Sequence, residues 1–334
     1  MTKWTGMWVV AMALAGCGNP ADSDTVSPPA SGQGFQLKVP EFVVNPGEEI
    51  QACYFFAVPG NAGDDVWVNR YEVAQPDGSH HMNIFRIGTI KNLSGKPGES
   101  VINGECFKSP NWSDWPLVVN SQQNANTDWT LPDGVGARFK AGEVLMLQTH
   151  WVNATTQKTN GHAKVAANFW TLKTPPANEM GTMFTTNQNI QICPGDQGRS
   201  FTKTCGPKTD QPLHIIAANG HFHSRGTDFQ MFTTDPQGAV GGMFYESHVW
   251  DDPPMMRTEK GQNEIAMIPA GGGVQWKCTF DFPTETGACG AGMNPDGTPN
   301  CCYTFGPKVE TNEHCNAFVY YWPKSANDTD VNCF

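Results

Sequence analysis

Nowhere in this chain do apolar residues recur at i, i+3, i+4 and i+7 over the length a helix needs, and that absence constrains the fold more than any single motif. Short apolar-polar alternations stand in its place. They lie between turn signals: Pro76-Asp77-Gly78, Pro132-Asp133-Gly134, Asn160-Gly161, Asp235-Pro236-Gln237-Gly238 and Pro295-Asp296-Gly297. The 35 glycines and 25 prolines supply such breaks throughout. Val274 to Phe282 alternates without interruption and carries Cys278 on its apolar face. From His314 to Trp322, residues His314, Asn316, Phe318, Tyr320 and Trp322 share one face, with Cys315, Ala317, Val319 and Tyr321 on the other. Val144 to Val152 places His150 on the face of Met146 and Gln148. An all-β sandwich architecture follows.

A length of 334 residues exceeds the usual single domain of roughly 100 to 200, so two domains are expected. The boundary is placed near Lys173-Thr174-Pro175-Pro176-Ala177, giving domains over 34–174 and 175–334. A net charge of −11 without a basic cluster argues against nucleic acid or an anionic membrane surface as partner.

At the N-terminus, Lys3 precedes the apolar run Met7 to Leu14 and then Leu14-Ala15-Gly16-Cys17. This resembles a bacterial lipoprotein signal over residues 1–17, with Cys17 lipidated. The competing expectation is an ordinary secretory peptide. The apolar run is shorter than the roughly 20 residues of a transmembrane helix, so contact with the membrane is expected only through the lipid. Residues 18–33, rich in Ser, Pro, Ala, Asp and Gly, read as a flexible tether. The expected location is the bacterial cell envelope, facing the periplasm or the exterior. Setting Cys17 aside leaves ten of the 11 cysteines, an even number that suits an oxidising compartment.

Six of the nine histidines fall into compact groups: His80-His81-Met82, His150, His221-Phe222-His223 and Asn312-Glu313-His314-Cys315-Asn316. Neutral imidazole suits copper, zinc and iron, and a His-x-His pair on a strand projects both rings from one face. The adjacent pair His80-His81 can share a metal only at a bulge or a strand end, because neighbours on a regular strand point opposite ways. Leu131-Pro132-Asp133-Gly134-Val135-Gly136 followed by Leu147-Gln148-Thr149-His150 completes the pattern. Together these groups resemble the copper type II, ascorbate-dependent monooxygenase family, from about Phe35 to the C-terminus.

The resemblance implies two antiparallel jelly-roll β-sandwich domains and two copper ions. His80, His81 and His150 would hold the first copper, which stores and delivers an electron. His221, His223 and His314 would hold the second, where dioxygen and a small-molecule substrate meet. Ascorbate or another reductant would supply electrons for hydroxylation of a C–H bond. It also implies the disulfides Cys53–Cys106, Cys205–Cys333 and Cys278–Cys315; the last would cross the core while His314 points the other way. Cys193, Cys289, Cys301 and Cys302 have no counterparts. Cys301 and Cys302 cannot easily bridge each other, so each is expected to reach a different partner, with Cys289 and Cys193 the candidates. His214 falls where relatives also carry a histidine and is expected to support the ligands, whereas Met82 is assigned to the core.

Two departures stand out. Relatives carry methionine where this chain has His314, and Met243, Met255, Met256 and Met293 are the other thioethers in the second half. The peptide-amidating members grip a carboxylate with Arg, Asn and Tyr; here the matching positions, and so the expected substrate contacts, are Asn219, Asn316 and Phe318. Losing the guanidinium fork forfeits charge-assisted bonds of roughly 1.5 to 3 kcal/mol each, which disfavours a peptide substrate with a free carboxylate. The rival expectations are a copper-binding lipoprotein without oxygenase activity, a store or an electron carrier, and a structural sandwich holding zinc.

Overall fold

The computed structural model describes residues 26–75, 79–87, 95–102, 106, 117–122, 127–153, 161–207, 209–306, 308–324 and 331–333, with backbone alone at 122, 127, 161–163 and 331–333. Cys17, the 1–17 signal and most of the 18–33 tether lie outside the described residues, as does the Pro76-Asp77-Gly78 turn. No helix occurs among the described residues; the chain forms two β-sandwiches of jelly-roll type.

In the first half, a six-stranded sheet runs in the order Gly34–Lys38, Ala166–Thr171, Asp65–Ala74, Val135–Lys140, Asn178–Glu179, with Thr127–Thr130 also on Asp65–Ala74. A five-stranded sheet faces it in the order Ser100–Ile102, Glu49–Ala57, Val144–Val152, Ser79–Arg86, Leu117–Gln122. The sequence change of sheet comes at Met180, because Asn178–Glu179 still pairs in parallel with Val135 and Gly136. Here the Leu-Pro-Asp-Gly stretch acts as a turn: Val135 N–H donates to the Pro132 carbonyl, and Gly134 takes a φ of 76° that disfavours a side chain.

In the second half, a six-stranded sheet runs Met256–Arg257, Leu213–His221, Asn316–Trp322, Gly181–Thr186, Val331–Cys333, with Ala266–Ile268 also on Leu213–His221. A four-stranded sheet, Arg199–Cys205, Gly273–Phe280, Gly226–Thr234, Val240–Ser247, closes its sandwich. The alternation foreseen for Val274 onward is present, with Val274, Trp276, Cys278 and Phe280 all buried.

Faces expected from the pattern at 314–322 are the faces observed. Cys315, Ala317, Val319 and Tyr321 enter the second core, where Cys315 is bridged to Cys278. Phe318 and Tyr320 look the other way and join the core of the first half. Phe184 stacks on Phe318 at 4.9 Å, and Trp129 meets the edge of Tyr320 at 5.2 Å. Asn120 N–H donates to the Tyr320 hydroxyl at 2.9 Å, and Thr182 Oγ1 donates to the Leu117 carbonyl at 2.5 Å. The two halves therefore share one apolar seam, and the sheets that carry the histidines face each other across it.

Cys53 is bridged to Cys106, Cys193 to Cys302 and Cys289 to Cys301. Cys205 is disulfide-bonded, and the side chain of its expected partner Cys333 lies outside the described residues. Met82 is fully buried in the first core.

Candidate metal centre

Strand register brings the first set together. His150 on Val144–Val152 pairs directly with His81 on Ser79–Arg86, so both rings leave the same face. Between His150 and Trp151 the register shifts, Trp151 pairing with Ser79, and the extra residue is His80. That bulge is the irregularity which adjacent histidines require, and it turns His80 toward the rings of His81 and His150. His80, His81 and His150 offer ring nitrogens that all lie within 4.8 Å of one another.

The second set is built from the end of a strand, a turn and a short connector. His221 closes Leu213–His221, and the chain turns through Phe222 to His223 with Gly226 N–H donating to the His223 carbonyl. A Cβ at Gly226 would stand 1.8 Å from the Phe222 ring, so only glycine lets this turn close. His314 precedes Asn316–Trp322, with its ring 4.4 Å from His223 and 5.2 Å from His221.

The two sets were expected to segregate with their domains, and the structure instead presses them together. His80 lies 5.1 Å from His221 and 5.7 Å from His223, and His81 lies 5.2 Å from His221, measured between ring centroids. His80, His221 and His223 form a second triad of nitrogens within 4.8 Å. The reason is the seam: the packing of Phe184, Phe318 and Tyr320 draws the histidine-bearing ends of the two sheets into one pocket of imidazoles.

All six rings are at most 6 % exposed. Burial, reinforced by neighbouring imidazoles, holds His80, His81, His221 and His223 well below the usual histidine range, and His314 is lowered to about 3, by burial first and His150 second. Neutral imidazole is the metal-binding form. The Nε2 atoms of His80 and His223 and the Nδ1 atom of His314 are buried with no hydrogen-bond partner, as a ligand nitrogen aimed at a cation would be. This donor set fits copper or zinc.

Around the rings sits a supporting set that sequence reasoning missed. His150 Nε2 meets the Glu49 carboxylate at 2.8 Å, leaving Nδ1 toward the cluster. His223 Nδ1 donates to the Asn312 carbonyl at 3.0 Å, which keeps its Nε2 lone pair free for a cation. Asn83 donates its amide to His81 Nδ1 at 3.2 Å, and His81 Nε2 in turn faces His150 Nδ1 at 3.2 Å. A metal at His81 Nε2 therefore needs the ring proton on Nδ1 and the Asn83 amide turned to accept it.

Glu313 is wholly buried and organises the second set. Its carboxylate accepts from the backbone N–H of His223 at 2.8 Å and of Arg225 at 3.1 Å, and from Arg225 Nε at 2.7 Å. Arg225 also donates to the carbonyls of Val309, Glu310 and Asn312. One ion pair thus ties the turn bearing His223 to the connector bearing His314. Burial pushes the Glu313 carboxyl upward, and the guanidinium with the amide donors pulls against it.

Other expected residues are placed as follows. Asn316 is buried beside His221 in register, with its Oδ1 unpartnered, and remains open to a substrate role. Asn219 instead donates to the carbonyls of Pro253 and Pro254, and Phe318 is spent in the seam, so neither presents a free contact to a ligand. His214 does not support the ligands: it stacks on Trp322 at 4.0 Å and pairs with Glu264 at the opposite end of the strand from His221, roughly 20 Å away by strand rise. Met243, Met256 and Met293 are 50 %, 44 % and 61 % exposed, unlike the enclosed rings, while Met255 packs on the first core. His248 is exposed beside Asp228 and Glu246. The side chain of His162 lies outside the described residues.

No family model matches this chain, and no curated protein matches it. Among solved structures it is similar to the VP2 subviral particle of infectious bursal disease virus, with 9 % identity over 91 % of this chain and 74 % of that one at a TM-score of 0.24. It is similar to the major capsid protein P2 of bacteriophage PM2, with 9 % identity over 82 % and 99 % at a TM-score of 0.28. A third is the CBM22-1–CBM22-2 tandem domain of Xyn10C from Paenibacillus barcinonensis, with 9 % identity over 87 % of both chains at a TM-score of 0.18. Likenesses this distant carry no information about the chemistry of the site.

Proposed function

We propose that this protein is a copper-dependent monooxygenase that hydroxylates a C–H bond of a small molecule, using dioxygen and an external reductant such as ascorbate. One observation carries the proposal: six buried imidazoles, three from each half, converge, and His80, His223 and His314 each keep a buried ring nitrogen without a hydrogen-bond partner. Copper held there would supply one-electron redox chemistry and a place for dioxygen.

The chain's own residues do the positioning. His80, His81 and His150 form one ligand set, and His221, His223 and His314 the other. Glu49 orients His150, the Asn312 carbonyl orients His223, and Glu313 with Arg225 fixes the spacing of His223 and His314. The enclosure keeps bulk water from the rings. Asn316, neutral and buried next to His221, is the residue placed to hydrogen-bond a substrate, and its amide favours a neutral partner over a carboxylate.

A second reading, a copper store or electron carrier, draws on the third imidazole at His314. A thioether stabilises Cu(I), whereas a third nitrogen shifts preference toward Cu(II). Oxygen uptake by the copper-loaded protein with ascorbate, measured with and without neutral aromatic and aliphatic candidates, separates the two. Substrate-stimulated uptake with oxygen from dioxygen appearing in the product supports hydroxylation; reversible copper reduction that no candidate accelerates supports the carrier.

A further inference from the structure

We infer that Asn83 and Gln148 are positioning residues that set which nitrogen of His81 is open to a metal, through two side-chain amides that turn over together. The inference rests on the metal-binding part of the reading above and not on its oxygen chemistry. Strand pairing sets Gln148 opposite Asn83 and His150 opposite His81, two residues away on each strand, so the amide pair lies behind the histidine pair on one face. Gln148 is 0 % and Asn83 5 % exposed.

The hydrogen bonds form one chain. Asn83 Nδ2 lies 3.2 Å from His81 Nδ1 and donates to Gln148 Oε1 at 3.3 Å. His81 Nε2 meets His150 Nδ1 at 3.2 Å, and His150 Nε2 meets Glu49 Oε1 at 2.8 Å. An amide nitrogen only donates, so His81 Nδ1 accepts, its ring proton sits on Nε2, and that proton is given to His150 Nδ1. In this arrangement His81 has no lone pair on Nε2, and His150 has spent the one on Nδ1. A metal between those two nitrogens requires the His81 proton on Nδ1 instead. Asn83 must then present Oδ1 in place of Nδ2, which sets two oxygens against each other unless Gln148 turns as well and donates from Nε2. The ring loses one proton at Nε2 and gains one at Nδ1, so its charge does not change. Asn83 Oδ1 and Gln148 Nε2 are the two atoms of this amide pair buried with no partner, and they are the two that the turned arrangement employs. Both arrangements keep two bonds at Asn83, so the number of bonds favours neither and a metal selects the second.

The test follows the His81 ring nitrogens by nitrogen magnetic resonance in the full chain carrying labelled histidine, before and during a zinc titration. Metal-free protein is expected to carry the His81 proton on Nε2, and zinc-bound protein to carry it on Nδ1. Two substitutions push the amide pair opposite ways. Asn83→Asp cannot donate, so it accepts from His81 Nδ1 and Gln148 Nε2 and fixes the metal-ready form. It should place the proton on Nδ1 before zinc is added and raise zinc affinity, read from the same signal, by roughly 10- to 100-fold. Gln148→Glu, ionised at mildly alkaline pH, can only accept; it holds Asn83 Nδ2 in place and should lower affinity by a similar factor. Added negative charge by itself would tighten zinc in both variants. Changes of the same sign in the two variants, no change in either, or a proton already on Nδ1 in the metal-free native chain overturns the inference. Should Asn83→Asp fail to fold, the native titration and Gln148→Glu decide. Oxygen uptake enters none of these readouts, so failure of the monooxygenase reading shows separately, in protein whose His81 proton still moves.

Discussion

At the scale of single residues, Glu313 and Arg225 show how few contacts set the geometry of a histidine cluster. Arg225→Ala leaves a buried carboxylate without its cation, and loss of one partner of such a pair costs about 3 to 5 kcal/mol. Urea unfolding of the variant at neutral pH measures it, and a loss below one kcal/mol would show that the pair is idle. Glu49→Gln keeps the size of the side chain and removes the charge behind His150; removing such an outer partner typically lowers metal affinity 10- to 100-fold, roughly, and competition with a chelator reads the change. His314 gives the sharpest residue-level expectation. X-ray absorption of the Cu(I) form should show nitrogen without sulfur, and His314→Met should bring in a sulfur scatterer and raise the copper potential. Sulfur in the unaltered protein would mean that a methionine, not His314, completes the set.

At the scale of the strands, Cys278–Cys315 ties Gly273–Phe280 to the segment that carries His314, on the face opposite the histidine. Replacing both cysteines by serine should cost about 2 to 5 kcal/mol in a thermal or urea melt and should loosen the second copper before the first. Much of this arrangement was legible beforehand. Alternation from His314 to Trp322 assigned each residue to its face, Val144 to Val152 appeared as a strand with its bounds intact, and an adjacent histidine pair demanded the bulge that is found. What alternation cannot convey is which strand ends meet. Glu49 reaches His150 from a strand about 100 positions earlier, and Arg225 reaches Glu313 across 88, so no local signal marks either residue. His214 misled for the complementary reason: on an extended strand, seven residues separate two side chains by a distance that no supporting contact spans.

At the scale of the molecule, the seam between the halves turns two ligand sets into neighbours, and domain order along the chain gave no hint of it. The Phe85–Phe184 and Trp129–Tyr320 contacts join the two sandwiches at that seam. Bringing so many neutral imidazoles into a buried site has a cost in the metal-free protein. The unfolded chain protonates its histidines near ~6.5, whereas in the fold His80, His81, His221, His223 and His314 resist, His314 down to about 3. Below that ordinary value the unfolded state binds more protons, so this part of the stability is complete above pH ~6.5 and is lost progressively as pH falls toward the lowered values. Thermal melts of the metal-free protein between neutral and mildly acidic pH should show the midpoint dropping on acidification, and copper should raise the midpoint at neutral pH in proportion to its free concentration over its dissociation constant. A midpoint indifferent to acid would mean that the rings are open to water.

The most direct test of the central claim is the copper content of the full chain after loading and dialysis against excess zinc. Six converging imidazoles should retain two copper ions per chain, because nitrogen donors hold Cu(II) over zinc. Retention of zinc in place of copper, or of fewer than two copper ions in a folded protein, would contradict it.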